Sequence, residues 1–393
     1  MRPLRWTLPF LALAVSVAFA KSERTVFLIS LDGFAGSYLP DPALPQFVKL
    51  QAEGSKARRL RPVFPSLTFP NHLTLATGCP PGKHGVVANQ FIDKDRGRFN
   101  YSDEPSWLNC EPLWVAAERQ GVKTAIHHWV MSFRPWNGVE ASYHMPSFDP
   151  KKSDAKALDQ LVTWASLPKK DRPRLLMTYL SGPDHNGHEY GPASGRTRSV
   201  LEKSDRQIAN FMGKLAKIPD LGPYTVLLVS DHGMAPVKEA VLIDSLFQRY
   251  WISGVPLISG PLLYLYLWNP NQASKVARDL GKTEGLSIYT PRDLPKEYGP
   301  YHPRMGDLIG VLDMPKVFLR GESAENRIPN GAHGYDPRLP SMDGIFLAWG
   351  DGIRANHEFD EAHAIDVAAT VSKLLGIQPA KQDEGRPIAG IFQ

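Results

Sequence analysis

Six residues of metal-ligating type, Asp32, Asp184, His188, Asp231, His232 and His333, lie along this chain in four short frames: FLISLDGF, GPDHNGH, VSDHGM and GAHGYDP. Three carboxylates and three imidazoles suffice to hold two zinc-type ions, because oxygen and imidazole nitrogen donors together suit zinc. Two cations about 4 Å apart can clamp both the attacking and the leaving oxygen of a phosphoryl transfer. Asp184 and His188 are spaced i, i+4, so one helical turn would aim both side chains the same way. A single DHG tripeptide is a weak signal, since short motifs recur by chance. Four such frames in one chain are much harder to supply by accident.

Such a centre needs a nucleophile. Between the first and second frames lies FPSLTFPNH, Phe64 to His72, which offers two hydroxyls, Ser66 and Thr68. A hydroxyl attacks poorly until a cation or base lowers its pKa. The structural alternative is a Pro-bounded turn with helix-capping hydroxyls, and residue type alone leaves Ser66 and Thr68 unseparated.

The elements that must position these residues follow from the apolar pattern. Strand-like runs occur at 25–31, 124–129, 174–180, 224–230 and 345–349, interleaved with helical patterns at 112–120, 196–217 and 361–375. Leu201, Ile208, Phe211 and Leu215 share one face of the middle helix, and Gly376 ends the last one as a C-cap. Continuous apolar strands alternating with helices predict an α/β fold with a mostly parallel sheet covered on both faces. Asp32 and Asp231 follow directly on strands, and Asp184 comes four residues after one. Open α/β sheets bind ligands just beyond the carboxyl ends of their strands, so the frames converge where a site belongs.

The chain has 393 residues, 42% hydrophobic and 22% charged, enough for one large α/β domain with an insertion. Arg2 and Arg5 precede an apolar run over 8–19, and Ala18-Phe19-Ala20 is a small-x-small frame before Lys21. Residues 1–20 read as a secretory signal peptide, too short for a spanning helix. Residues 21–239 and 331–393 then form the catalytic core, and 240–330 an inserted cap or substrate region with its own strand-like run at 262–268. The expected location is exported, periplasmic or secreted, with no stable membrane insertion once the signal is removed. Loss of Arg2 and Arg5 takes the formal charge from +5 to +3. That mild, interspersed charge gives no footprint for a nucleic-acid duplex, and KARRLR at 56–61 reads as a solvated loop face. In an oxidising compartment Cys79 and Cys110 are candidates for one disulfide closing a loop of about 30 residues, although spacing leaves their proximity open. No CxxC pair is present, which argues against a cysteine-based zinc site.

In chain order the motifs LDGF, PSLTFPNH, GxxPxxHGVVxN, PDxxGH, SDHGM and GAHGYDP resemble the nucleotide pyrophosphatase/phosphodiesterases of the alkaline phosphatase superfamily, over roughly residues 25–380. The resemblance implies an alkaline phosphatase-like fold, two zinc ions per chain and hydrolysis of phosphodiester or pyrophosphate bonds in nucleotides. It implies Thr68 as nucleophile, because the family's threonine stands directly before Phe-Pro-Asn-His. One zinc would be held by Asp32, Asp231 and His232 with Thr68, the other by Asp184, His188 and His333. Asn89 would donate to a phosphate oxygen, and Phe69 and Tyr179 would border the nucleotide base. The implied reaction is a pair of in-line displacements through a phospho-threonine.

The other histidines receive structural readings: His72 and His84 order local loops, and His185 points away from Asp184. His127, His128, His302, His357 and His363 have no supporting motif. Three departures stand against the family pattern: WVMS at 129–132 in place of Trp-Pro-Gly-Ser, Gly182 where glutamate is common, and Cys110 at a usual glycine, with Cys79 also replacing a common apolar residue. Their effect falls on the substrate-facing loop 131–149, Tyr143 and His144 included. Among rivals, a phosphomonoesterase would want a cationic group beside the nucleophile, and a sulfatase a C/S-x-P-x-R frame. Neither is present. A phospholipase C-like or choline-ester phosphodiesterase would keep this catalytic set and differ only in its pocket. A catalytically inactive binding protein is opposed by retention of all six ligands and the nucleophile.

Overall fold

Strand Thr25–Leu31 is buried at every position, as a strand covered on both faces must be. A computed structural model describes residues 23–39, 41–149, 151, 153–321 and 328–393; the signal peptide expected at 1–20 lies outside the described residues. Thr25–Leu31 pairs in parallel with Leu175–Leu180 on one side and Tyr224–Val229 on the other. The full order is His357–His363, Ser55–Arg61, Gly344–Gly350, Tyr224–Val229, Thr25–Leu31, Leu175–Leu180, Thr124–His127 and Tyr143–His144. Gly344–Gly350 runs antiparallel to both neighbours, and the other pairings in this sheet are parallel. The sheet is therefore mostly parallel, as expected, with one reversed strand that apolar periodicity cannot reveal.

Side chains alternate between the two faces along each strand. Val26 and Leu28 enter one apolar cluster, and Phe27 and Ile29 the other. Helix Gly195–Leu215 buries Leu201, Ile208, Phe211 and Leu215 against the second cluster. Helix Asp366–Leu375 buries Val367, Val371 and Leu374 against the first.

Two expectations need correction near the sheet edge. The helix expected over 361–375 begins only at Asp366, because His357–His363 is an edge strand paired with Ser55–Arg61. The KARRLR run is not a loop but that partner strand. Opposite charges account for the pairing: Arg58 meets Glu358 and Asp360, and Arg59 and Arg61 both meet Glu361. Exposed pairs of this kind stabilise little individually, but they set cross-strand partners and neutralise the basic run.

Within 240–330 the strands Gly254–Ser259, Leu262–Leu267, Leu308–Leu312 and Leu286–Tyr289 form an antiparallel sheet in that order. Alternation again decides its two faces. Leu263, Leu265 and Leu308 pack with residues of helices Ile243–Tyr250 and Ala273–Leu280, while Tyr264, Ile309 and Val311 join the main core. The Tyr264 hydroxyl donates to the Val87 carbonyl at 3.0 Å, tying this sheet to the chain that leads to Asn89.

Cys79 and Cys110 are disulfide-bonded, with both residues buried. The two cysteines that depart from the family pattern are thus one feature. Closing a loop across a sequence separation of 31 restricts the unfolded chain and stabilises by about 3 to 4 kcal/mol in the chain-entropy view. Replacing both by Ala is expected to lower unfolding stability by about that amount, read as a shift in denaturant midpoint. An unchanged midpoint would show that the bridge contributes nothing. Among the described residues no helix is long and apolar enough to cross a membrane.

Candidate metal centre

Three adjacent strands deliver the carboxylates. Asp32 directly follows Thr25–Leu31, and its N–H donates to the Leu180 carbonyl at 3.0 Å, one step beyond the strand. Tyr224–Val229 leads through Ser230 to Asp231 and His232. Leu175–Leu180 leads to helix Asp184–Tyr190, which places Asp184 in its first turn and His188 one turn later. His333 arrives from far along the chain, beside the short bridge pairing Gly331–Ala332 with Ala235–Pro236. Two glycines permit this convergence. Gly33 has φ +64°, and a Cβ there would lie 2.9 Å from the Asp184 Cα; Gly182 has φ +52°, and a Cβ there would lie 2.4 Å from the Asp32 carbonyl oxygen. Only glycine tolerates both that conformation and that approach. Glycine at 182, where the family commonly has glutamate, therefore has a local steric reason in this chain.

The six expected ligands come together. His232 Nε2 lies 3.1 Å from Asp231 Oδ2, 3.6 Å from Asp32 Oδ1 and 3.3 Å from Thr68 Oγ1. Asp184 Oδ1 lies 3.5 Å from His188 Nε2 and 3.6 Å from His333 Nε2. The two groups adjoin, because the His232 and His333 rings stack with centroids 3.6 Å apart. His232 is within reach of both: ligand atoms of Asp32, Asp231 and His232, and those of Asp184, His232 and His333, each lie within 4.8 Å of one another.

Ring orientation follows from a common device. Nδ1–H of His188 faces the Gly331 carbonyl at 2.9 Å, that of His333 the Ser66 carbonyl at 2.8 Å, and that of His232 the Gly233 carbonyl at 2.9 Å. Committing Nδ1 to a carbonyl turns Nε2 inward as a lone-pair donor, the usual outer support of metal-binding histidines. Asp32 Oδ1, Asp184 Oδ1 and Asp231 Oδ2 are buried without a hydrogen-bond partner among the described residues. Buried carboxylate oxygens left so are costly unless a cation meets them. Burial, and then the charges of Asp231 and Asp184, push the Asp32 carboxyl well above its usual range. Burial acts the same way on Asp231, but the neighbouring His232 and His72 outweigh it and hold that carboxyl well below the usual range. Burial, and then the neighbouring His232 and His188, push the His333 imidazole well below its usual range, which favours the neutral form that binds metal. Donor types, orientation and orphaned oxygens all fit a pair of divalent cations.

Thr68 opens helix Thr68–Thr77, whose preceding residue Leu67 supplies no side-chain cap. A helix N-terminus without such a cap is a favourable place for an anion. Ser66 is arranged differently: it is fully buried, and its hydroxyl donates to the Tyr335 carbonyl at 3.1 Å. Asn89 sits beside the nucleophile candidate, its Oδ1 accepting from the Phe69 N–H at 3.0 Å. The Tyr179 hydroxyl donates to Asp32 Oδ2 at 2.6 Å, so this residue touches the metal group as well as the pocket.

One contributor was missed by sequence reasoning. His72 lies one turn after Thr68 on the same helix, fully buried, with Nδ1 2.9 Å from the Thr68 carbonyl and 3.3 Å from Asp231 Oδ2. Its Nε2 lies 2.9 Å from Ser30 Oγ. It braces the nucleophile's turn and a ligand together, which its i+4 spacing from Thr68 could have signalled. His84 does order a loop: the Val86 N–H donates to its Nδ1, its Nε2–H meets the Pro70 carbonyl, and burial pushes its pKa down to about 3. His185 is exposed and pairs with Glu189.

Beside Thr68 opens a cavity of about 210 Å³ whose walls include Phe69, Tyr101, Met131, Phe133, Phe148 and Tyr179. All its lining residues fall between Thr68 and Tyr179, and none comes from 240–330. The 131–149 loop contributes Met131, Phe133 and Phe148; Tyr143 and His144 instead form an edge strand, with the Tyr143 hydroxyl on the Asp171 carbonyl.

Residues 26–336 match the family described as Type I phosphodiesterase / nucleotide pyrophosphatase. The chain belongs to that family. It is a family of metal-dependent hydrolases, in keeping with the clustered Asp and His residues. A pyrophosphatase/phosphodiesterase of Schizosaccharomyces pombe, uncharacterised, is 31% identical over 362 residues, covering 84% of this chain and 72% of that one. A venom phosphodiesterase of Crotalus durissus collilineatus is 29% identical, covering 92% of this chain and 45% of its own length. Human ectonucleotide pyrophosphatase/phosphodiesterase family member 1 is 28% identical, with 90% and 40% covered. The chain thus spans less than half the length of the venom and human relatives. The solved structure of murine ectonucleotide pyrophosphatase/phosphodiesterase 5 superposes with a TM-score of 0.84 at 24% identity, covering 91% of this chain and 96% of that one. It shares the alkaline phosphatase-like fold. An inactive threonine-to-alanine variant of that murine protein has been solved in complex with AMP.

Proposed function

We propose that this enzyme hydrolyses phosphodiester or pyrophosphate bonds in nucleotides, with Thr68 as nucleophile and two zinc ions as cofactors. The observation that carries the reading is the position of Thr68 Oγ1, 3.3 Å from His232 Nε2 and beside orphaned carboxylate oxygens. Asp32, Asp231 and His232 would hold one zinc with Thr68, and Asp184, His188 and His333 the other, with His232 lying between them. When bound, the ions supply positive charge that lowers the pKa of a hydroxyl or water and neutralises the phosphate.

The protein's own groups do the rest. Thr68 Oγ loses its proton to solvent and bonds to phosphorus in line as the bond to the leaving oxygen breaks, the leaving oxygen taking a proton from water, and the helix N-terminus faces the anion. Water then attacks phosphorus from the opposite side, the P–O bond to Thr68 breaks, and a proton from that water restores the Thr68 hydroxyl. The Phe69 N–H fixes the Asn89 oxygen and leaves its NH₂ to donate to a non-bridging phosphate oxygen. Asn89→Ala is expected to reduce kcat by about 10²-fold with zinc content unchanged; a loss confined to KM would remove Asn89 from this role.

The aromatic walls formed by Phe69 and Tyr179 suit a nucleobase, and the AMP complex of the murine relative supports a nucleotide as substrate. The second reading, a choline-ester phosphodiesterase, draws on the same rings with Asp103 in the lining, since aromatic cages also take quaternary ammonium groups. A panel of a p-nitrophenyl nucleotide diester, a dinucleotide polyphosphate, p-nitrophenyl phosphate and a phosphocholine ester separates them. Preference for the monoester would sink the diesterase reading, and preference for the phosphocholine ester would move the substrate to lipids. The 240–330 segment serves as an inserted region that braces the Asn89 loop through Tyr264. The disulfide fits an oxidising compartment, and we place the enzyme outside the cytoplasm, periplasmic or secreted.

A further inference from the structure

Left-handed backbone gathers around the cavity beside Thr68. Of the seven non-glycine residues with positive φ among the described residues, three line that cavity: Tyr101 at +48°, His128 at +56° and Met131 at +60°. An L side chain is strained in this conformation, which persists only where the surroundings enforce it. Around Met131 they do. The Trp129 indole N–H donates to the His72 carbonyl at 3.1 Å, and the Ser132 N–H and hydroxyl both return to the Trp129 carbonyl, at 3.2 and 2.7 Å. The turn is thereby pinned to the helix that Thr68 opens.

What the strain holds in place is the Met131 side chain. It is 1% exposed, packed into the same apolar cluster as Trp129, and part of the cavity wall. Position 131 is the third residue of WVMS, where the family pattern has glycine, which adopts this backbone freely. The chain therefore carries a long apolar side chain where the backbone calls for none, and the space it fills is taken from the cavity. Close packing behind it leaves little room to move aside.

Volume then decides what enters. An apolar cavity of about 150 Å³ holds one benzene molecule. At that rate, about 25 Å³ per heavy atom, uracil or cytosine needs about 200 Å³ and adenine about 250 Å³. The cavity measures about 210 Å³, enough for one ring with its exocyclic groups and short of a purine.

We infer that Met131 is a specificity-determining residue that restricts this pocket to a single-ring base, so that pyrimidine nucleotide diesters are preferred over purine ones. The inference rests on the nucleotide reading above and adds the class of base.

The test compares kcat/KM for the p-nitrophenyl esters of UMP, CMP, AMP and GMP, with methyl p-nitrophenyl phosphate as a diester that carries no base. Wild type should favour the pyrimidine esters by about tenfold, mainly through KM. Met131→Gly relaxes the backbone and opens the wall, and should lower the pyrimidine-to-purine ratio by about tenfold. Met131→Leu keeps the bulk and should keep the preference. A merely structural role would depress all the esters alike and leave the ratio where it was. Equal kcat/KM for the nucleotide esters in wild type, which needs no variant to fold, would overturn the inference, as would an unchanged ratio in Met131→Gly. Turnover of methyl p-nitrophenyl phosphate reports on the diesterase reading separately. Calorimetric binding of UMP and AMP to Thr68→Ala reads the pocket with the chemistry removed: tighter UMP binding there, with no diester turned over by wild type, would sink the hydrolysis reading and support this one.

Discussion

Thr68→Ala is expected to lower turnover of a nucleotide diester by about 10⁴-fold while the protein keeps both zinc ions. In the proposed mechanism the hydroxyl is the atom that bonds phosphorus, so its loss would remove the covalent route. Its loss leaves Asp32, Asp231 and His232 in place as the proposed ligands. Removing a methyl-bearing side chain from the first turn of helix Thr68–Thr77 should leave the fold intact, since the turn is held by the Asn71 N–H on the Leu67 carbonyl and by His72 on the Thr68 carbonyl. Thr68→Ser keeps a hydroxyl and should retain measurable turnover. Ser66→Ala should stay within a few-fold of wild type, because the Ser66 hydroxyl is spent on the Tyr335 carbonyl. Steady-state kinetics with metal analysis separates these outcomes, and an acid quench should trap phosphate on Thr68. High activity in Thr68→Ala, or the main loss in Ser66→Ala, would transfer the nucleophile elsewhere.

The second large effect concerns the ions. Asp184→Asn removes the carboxylate that lies near both His188 and His333. It should reduce bound zinc from two to one per chain and cost several kcal/mol of transition-state stabilisation, about 10³-fold in kcat/KM. Stability should respond in a linked way. Ligands that bind only the folded state raise its melting temperature, so chelation should lower the Tm of wild type more than that of the variant. In metal-free protein the variant should be the more stable of the two, because it relieves repulsion among Asp32, Asp184 and Asp231, which adds to burial in pushing Asp32 upward. A variant that retains two zinc ions and full activity would show that Asp184 is not a ligand.

Much of the fold was legible because local pattern reports local burial. The runs at 25–31, 174–180 and 224–230 are central strands, and Leu201, Ile208, Phe211 and Leu215 do share the packed face of one helix. The stretch at 361–375 misled because its first residues carry a charged pattern read as helical. Their true constraint is the row of arginines on Ser55–Arg61, some 300 residues away in sequence. The direction of Gly344–Gly350 was likewise beyond reach, since a buried strand has the same composition in either direction.

By itself the sequence determined the chemistry on offer: the ligand types, their short frames, two hydroxyls two residues apart and the strand ends that carry the carboxylates. Only the tertiary structure decided which atoms meet. It placed Thr68 rather than Ser66 beside His232, set His232 between the two ligand groups, brought His72 behind both Asp231 and Thr68, and joined Cys79 to Cys110. The reason is separation along the chain. The Gly33 N–H donates to Asp231 across 198 residues and His333 reaches the Ser66 carbonyl across 267. Contacts of that span depend on how whole strands pair and pack, which no local run of residues encodes.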